Sequence, residues 1–357
     1  MRLGPGITPS QKREFVTLNS SPEGAPDIDA STLTRILHPY RRSNPLRSVL
    51  ELAATAVPLA ALWIVAWIAV RHGFWWGALL SIPAAGFLVR LFGVQHDCGH
   101  GSFFQNKHAN DWVGRVISVF TLTPYDDWRN GHAAHHATSG DLDRRGVGDI
   151  DTLTVEEYLA LPPMRRFGYR LFRHPAIMFL LGPFFVFLFR YRLPVGPMGA
   201  WRSWFSTMTT NLAIVVVVGV LIRVVGLRPF LLVVAPTVMM ASAAGVWLFY
   251  IQHQFEGVYW ARSDDWSLRE AALHGSSHYH LPRWLAWFTA DIGLHHVHHL
   301  SSRIPFYRLR QVLRDHPELD IRRLTLAQSL RGAQLALWDE ANRRLISFRE
   351  ARLAYGI

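Results

Sequence analysis

Eight histidines fall into three tight groups: His96 and His100 in HDCGH, His132, His135 and His136 in HAAHH, and His295, His298 and His299 in HHVHH. Residues at i, i+3 and i+4 lie on one face of a helix, so a helical group presents its imidazoles in a single direction. Imidazole binds iron, copper, zinc and nickel, which leaves the element open. Ligand number narrows the reading. One zinc ion is satisfied by about four protein ligands, and eight histidines exceed one first-row coordination sphere, so the pattern predicts two metals. Cys98 is the only cysteine and no CxxC pair occurs, which argues against zinc–thiolate and iron–sulfur sites. Within the third group His296 is turned about 100° from His295. It is expected off the face that His295, His298 and His299 share.

The elements that must position these groups are apolar. Half of the 357 residues are hydrophobic, and four stretches approach the roughly 20 apolar residues a bilayer core requires: about 50–70, 74–94, 205–222 and 230–251. Pro58, Pro83 and Pro236 within them are tolerable, because neighbouring helices can re-satisfy the freed backbone groups. Residues 71–73 and 223–229 are the only links within each pair, which predicts two hairpins. The N-terminus, residues 95–204 and the chain after Gln252 then share one side of the membrane. These segments carry 7, 12 and 14 Lys and Arg against 3 in the two turns, so the positive-inside rule assigns them to the cytoplasm. Arg90, near the cytoplasmic end of the second span, is expected to snorkel.

His96 follows the second span and the lone His253 follows the fourth, so both hairpins deliver a histidine to the same membrane face. His253 becomes a ninth candidate ligand. The expected fold is an all-α integral membrane protein, with four transmembrane helices in two hairpins and a cytosolic helical cap holding a histidine-rich dimetal site. The net charge of +11 follows from this topology and from attraction to anionic headgroups. Without a basic domain of its own the chain gives no reason to expect nucleic-acid binding.

Residues 112–125 and 177–189 are apolar but short, and read as interfacial or re-entrant helices. Residues 155–173 read as lying on the membrane. From 335 to 353 the spacing of Leu337, Trp338, Ala341, Leu345 and Phe348 predicts an amphipathic helix. Residues 1–47 are polar, lack the apolar core of a signal peptide and are expected to be a loosely ordered cytosolic segment. The chain thus divides into 1–47, a main domain at 48–320 and a cytosolic helical tail at 321–357. A single cysteine fits a reducing compartment. Arginine outnumbers lysine 35 to 2, which suggests a high-GC bacterial genome.

With its elements placed, the chain resembles the membrane-bound fatty acid desaturases, and within them the bacterial omega-6 (delta-12-type) acyl-lipid branch. The resemblance rests on GVQHDCGHGSFF at 93–104, TPYDDWRNGHAAHHATSGDLDRRGVGDIDTLTVEEY at 123–158, FYIQHQFEGVYW at 249–260 and GSSHYHLPRWLAWFTADIGLHHVHHLSSRIPFYRL at 275–309. It covers about residues 45–320. It implies an oxygen-dependent di-iron enzyme; with the topology read above, the expected location is the bacterial inner membrane, with both termini and the active site cytoplasmic. Such an enzyme removes two hydrogens from adjacent methylenes of the acyl chain of a membrane lipid or acyl thioester, leaving a cis double bond. Carried over residue by residue, the iron ligands are His96, His100, His132, His135, His136, His253, His295, His298 and His299.

Electrons would come from a ferredoxin-like or cytochrome b5-like donor. No HPGG-type haem motif or cysteine-rich cluster occurs, so a separate donor protein is expected. Asp97, Asp126, Asp127, Asp141, Asp149 and Glu256 are candidates to accept ligand N–H groups. Asp291 stands where close relatives are expected to carry Asn, and is a candidate for orienting a ligand or water. Trp112, Trp128, Phe249 and Trp260 are candidate walls of the acyl path, and Arg129 a candidate headgroup contact.

Two other readings compete. The same di-iron scaffold includes hydroxylases and ketolases acting on lipids or other hydrophobic substrates. A metal transporter is the rival outside enzymology, but transport pathways require ionisable groups within the spans, and the central parts of all four spans contain none.

Overall fold

The computed structural model describes residues 29–195 and 199–357. Asp29 accepts the Thr32 N–H at 2.9 Å and starts helix α1 (Ala30–Leu37). Asn44 likewise accepts the Arg47 N–H at 3.0 Å, and Pro45 takes the first position of the long helix α2 (Pro45–Arg71), where its missing N–H costs nothing. A 3-10 turn at Trp75–Leu80 leads into α3 (Ser81–His100), which stops at Gly101 in the left-handed region, φ 67°. The second pair is α9 (Ala200–Val225) and α10 (Leu227–His253), separated by Gly226 alone. By length and composition Pro45–Arg71, Trp75–His100, Trp201–Val225 and Leu227–His253 can cross a membrane. Their outward faces are apolar, with Val57, Ile64, Leu212 and Val215 all at least half exposed, as expected where the solvent is lipid.

Two of these helices run further than their apolar runs. Helix α3 continues past residue 94 to His100, and α10 ends on His253, so the spans themselves carry histidines into the site. Between the pairs lie α4 (Lys107–Phe120), α5 (Tyr125–Thr138), strand β1 (Leu153–Thr154), α6 (Val155–Ala160) and α7 (Pro163–Phe172). A π-helical turn at Ile177–Leu181 leads into α8 (Gly182–Leu188). Pro163–Phe172 and Ile177–Arg192 are together long and apolar enough for a span but bend by 63°, the geometry of a broken span or a re-entrant loop.

After α10 come α11 (Leu268–His274), β2 (His278–His280), α12 (Arg283–Phe288), α13 (His295–Leu300) and α14 (Phe306–Asp315). Then follow β3 (Arg323–Thr325), α15 (Leu326–Gly332), β4 (Leu335–Asp339), β5 (Arg344–Ser347) and α16 (Phe348–Tyr355). The main core joins α1, through Leu33 and Leu37, to Leu88, Leu91 and Val94 of α3 and to Phe306, Leu309 and Val312 of α14.

Three expectations are corrected. Residues 335–353 are not one helix. Strands β4 and β5 form an antiparallel hairpin, with β1 pairing parallel to β4, and only α16 is helical. Every residue of β4 is buried, so its apolar run satisfies a helical stripe as readily as a two-sided strand. Of the segment expected to be loosely ordered, residues 1–28 lie outside the described residues, whereas α1 is a capped helix packed into the core. Arg90 does not snorkel. It is 2% exposed, bonds Glu51 of α2 and the Trp287 carbonyl, and stacks over the Trp287 ring at 3.9 Å. An ion pair 39 residues apart in sequence leaves no local pattern to read.

Candidate metal centre

Nine histidines, among them His96 and His100 at the end of α3 and His253 at the end of α10, sort into two groups. One contains His96, His100, His132, His136 and His298; the other contains His135, His253, His295 and His299, and within each group the donor atoms lie within 4.8 Å of one another. The two groups abut, with the His136 and His299 rings stacked 4.1 Å apart.

Helix geometry explains the sorting. Relative to the first histidine of a box, i+4 is rotated by about +40° and i+3 by about −60°. His132 and His136 therefore share one group while His135 leans into the other, and His295 and His299 share one group while His298 leans across. The second and third boxes each serve both groups. His96 and His100, at i and i+4 on α3, stay together, and His253 completes the second group from the end of α10.

The contacts are made through Nε2. In the first group His132 lies 2.9 Å from His96, His136 3.2 Å from His132, and His298 3.1 Å from His136. In the second, His253 is 3.0 Å from His135 and 2.9 Å from His295, which is 3.1 Å from His299. Ligands on one ion with metal–imidazole bonds of about 2.1 Å sit about 3 Å apart. Hydrogen bonding alone serves these atoms poorly, since a neutral imidazole offers one donor and one acceptor, and the buried His100 Nε2 has no partner. The donor set therefore fits two transition-metal ions.

Electrostatics keep the donors in the binding form. Burial, with neighbouring imidazoles adding to it, holds His132, His136, His295, His298 and His299 well below the ordinary imidazole value, so they are neutral at pH 7 as ligands must be. The outer nitrogens are anchored as well. His135 Nδ1 lies 2.5 Å from Asp149 Oδ1, and His253 Nδ1 is 3.0 Å from the Gly275 carbonyl, contacts that turn Nε2 inward.

Of the other candidate acids, Asp97 lies 3.5 Å from His96 Nδ1 but accepts the Phe306 N–H at 2.7 Å, tying the first box to α14. Asp126 pairs with Arg115, Asp141 with Arg144 and Ser263, and Asp291 with Arg310. Asp127 is buried and Glu256 is exposed. His296 is fully buried, stacks on His278 rather than joining either group, and is held down to about 3, chiefly by burial.

The candidate substrate residues separate in the same way. Trp128 stacks on His132 at 4.9 Å and 12°; a Cβ at Gly99 would meet its ring at 2.9 Å, so glycine allows the close approach. Phe249 packs on His135 at 5.1 Å. Trp260 lines a recess with Phe249, His253, Asp149, Ile150 and Gln254. Trp112 is 64% exposed on α4, and Arg129 is held by Asp111 at 2.6 Å. Sequence reasoning missed Gln254 and Ser139, which also line the recess; their positions beside His253 and after the second box were the available signal.

Fold and site together define an integral membrane protein of long apolar helices carrying two adjacent histidine clusters. The fatty acid desaturase family model matches residues 73–327. A fatty acid desaturase of Bacillus subtilis (strain 168) is 42% identical over 319 residues, covering 89% of this chain and 90% of that one. Two Synechocystis proteins, an sn-1 acyl-lipid omega-3 desaturase (ferredoxin) and an sn-1 oleoyl-lipid 12-desaturase, are each 28% identical over 62% of this chain, which spans 62% and 63% of their lengths. The chain belongs to the fatty acid desaturase family, and is an oxidoreductase acting on fatty acids.

Proposed function

We propose that the chain is an oxygen-dependent acyl-lipid desaturase with one iron ion in each histidine group, introducing a cis double bond of the omega-6 (delta-12-type) position. The observation that carries this reading is the pair of abutting all-imidazole clusters, a donor set suited to two redox-active ions. The acyl-lipid and 12-desaturase relatives support the substrate and position. In the balanced reaction, two adjacent methylenes, one O2, two electrons and two protons give one double bond and two waters.

Bound iron supplies the redox chemistry needed to activate dioxygen against an unactivated C–H bond. The protein's part is positioning. Asp149 and the Gly275 carbonyl fix the orientation of His135 and His253. Phe249, against His135, presents an apolar surface that excludes water where the acyl methylenes would lie, and Trp128 does the same beside His132. The electron donor in this reading is a separate ferredoxin-like or cytochrome b5-like protein; the ferredoxin named for one relative supports the first. The catalytic unit is residues 48–320, in the bacterial inner membrane with the histidines facing the cytoplasm, as the Lys and Arg distribution supports.

Expression in a host that makes only saturated and monounsaturated acids, followed by gas chromatography–mass spectrometry of its lipids, tests this function. Appearance of a diunsaturated C18 acid on membrane lipids is expected. Hydroxylated or keto acids in its place would overturn it.

A further inference from the structure

The β4–β5 hairpin lies beyond the residues the family model matches, yet it packs behind Trp260, a wall of the recess beside His253. Leu335, Trp338 and Leu345 of the hairpin make one apolar cluster with Leu142, Val258 and Trp260. Trp338 is 2% exposed and stacks on Trp260, centroids 5.5 Å apart and planes at 27°. Trp260 in turn lines the recess, a narrow cavity of about 30 Å³, with His253 and Phe249 among its other walls.

The hairpin is clamped at its first strand. The Leu335 carbonyl accepts from Arg173 and from the Tyr250 hydroxyl, both at 2.7 Å, and the Ala336 carbonyl accepts from the Tyr169 hydroxyl at 2.6 Å. β1 pairs with Leu337 and Trp338. Arg173 is 3% exposed, and the acceptors around its guanidinium are neutral: the Asp151 and Leu335 carbonyls, Thr152, Tyr250 and Gln254. Burying a guanidinium without a carboxylate partner is costly, and here it links the hairpin to Gln254, the neighbour of His253.

We propose that Trp338 is a positioning residue for substrate selection: by holding Trp260 in place it sets the shape of the recess beside His253, and so which acyl chain lengths the enzyme desaturates. The inference rests on the reading of Trp260 as a wall of the acyl path. Close-packed interiors leave no slack behind such a ring, so a smaller residue at 338 opens a void into which Trp260 can shift. One methylene in an apolar pocket changes selectivity by about 10-fold or more.

The test uses the full chain, with C16 and C18 product ratios read from lipids, and metal content and thermal stability measured on the purified protein. Trp260→Leu and Trp338→Leu should shift the C16:C18 ratio in the same direction, by about 3-fold or more, with metal content unchanged. Trp338→Phe, which keeps a ring behind Trp260, should restore the wild-type ratio. If Trp338→Leu cannot be purified, Leu345→Ala loosens the same packing and takes its place. A shift with Trp260→Leu but only lost stability with the hairpin variants would make Trp338 merely structural and overturn the proposal. An unchanged ratio in Trp260→Leu would instead remove the wall reading on which it rests.

Discussion

His135 Nδ1 sits 2.5 Å from Asp149 Oδ1, the one carboxylate oxygen within 3 Å of a clustered histidine among the described residues. Loss of such an outer partner typically costs 10–100-fold in metal affinity or activity. Asp149→Asn should therefore weaken the group of His135, His253, His295 and His299 by roughly 10–100-fold and leave the other group loaded. Metal titration of the purified variant checks this, with Glu256→Gln as the neutral control; simultaneous, equal weakening of both groups would contradict it.

His296 and His298 are two residues apart and should behave oppositely. His298 leans into the first group, whereas His296 packs against His278. His298→Ala should abolish activity and lower the metal content. His296→Ala should keep both metals and measurable activity while lowering thermal stability, because it empties a fully buried position. Loss of metal from both variants would place His296 among the ligands.

The Glu51–Arg90 pair offers a test of stability away from the histidines. Both side chains are under 10% exposed, and removing one partner of a buried pair typically costs about 3–5 kcal/mol. Arg90→Met and Glu51→Gln should each lower the unfolding midpoint in detergent, and the double variant should recover part of the loss. Strictly additive losses would show that the two charges do not depend on each other.

How far the sequence reaches depends on the range of each interaction. The spans are legible because an uninterrupted apolar run of bilayer length is rare in a helix that water surrounds. The histidine spacings are legible because i+3 and i+4 are local. Which histidines complete each group is not, since His298 joins His132 and His136 from α13 while His253 joins His135 from the end of α10. Glu51–Arg90 and Trp260–Trp338 join residues far apart in the chain. The hairpin imitates a helix in sequence because buried β4 shows no alternation, and the break at Arg343, φ 48°, carries no glycine to mark it.

Topology can be read by labelling. His72→Cys, in the turn after α2, and Arg228→Cys, in the first turn of α10, both exposed, should react with an impermeant thiol reagent from outside the cell. Asp264→Cys, exposed on the histidine side, should react only after the membrane is opened. The native Cys98 is 1% exposed and should remain silent. Labelling of position 264 from outside would put the histidines across the membrane from a cytoplasmic donor.

The central claim is that nine imidazoles hold two irons, and counting metal tests it most directly. Protein purified without oxygen and analysed by inductively coupled plasma mass spectrometry should contain about two irons per chain, since eight or more histidine ligands exceed one coordination sphere. A reproducible single metal per chain, or zinc that supports full activity, would contradict it.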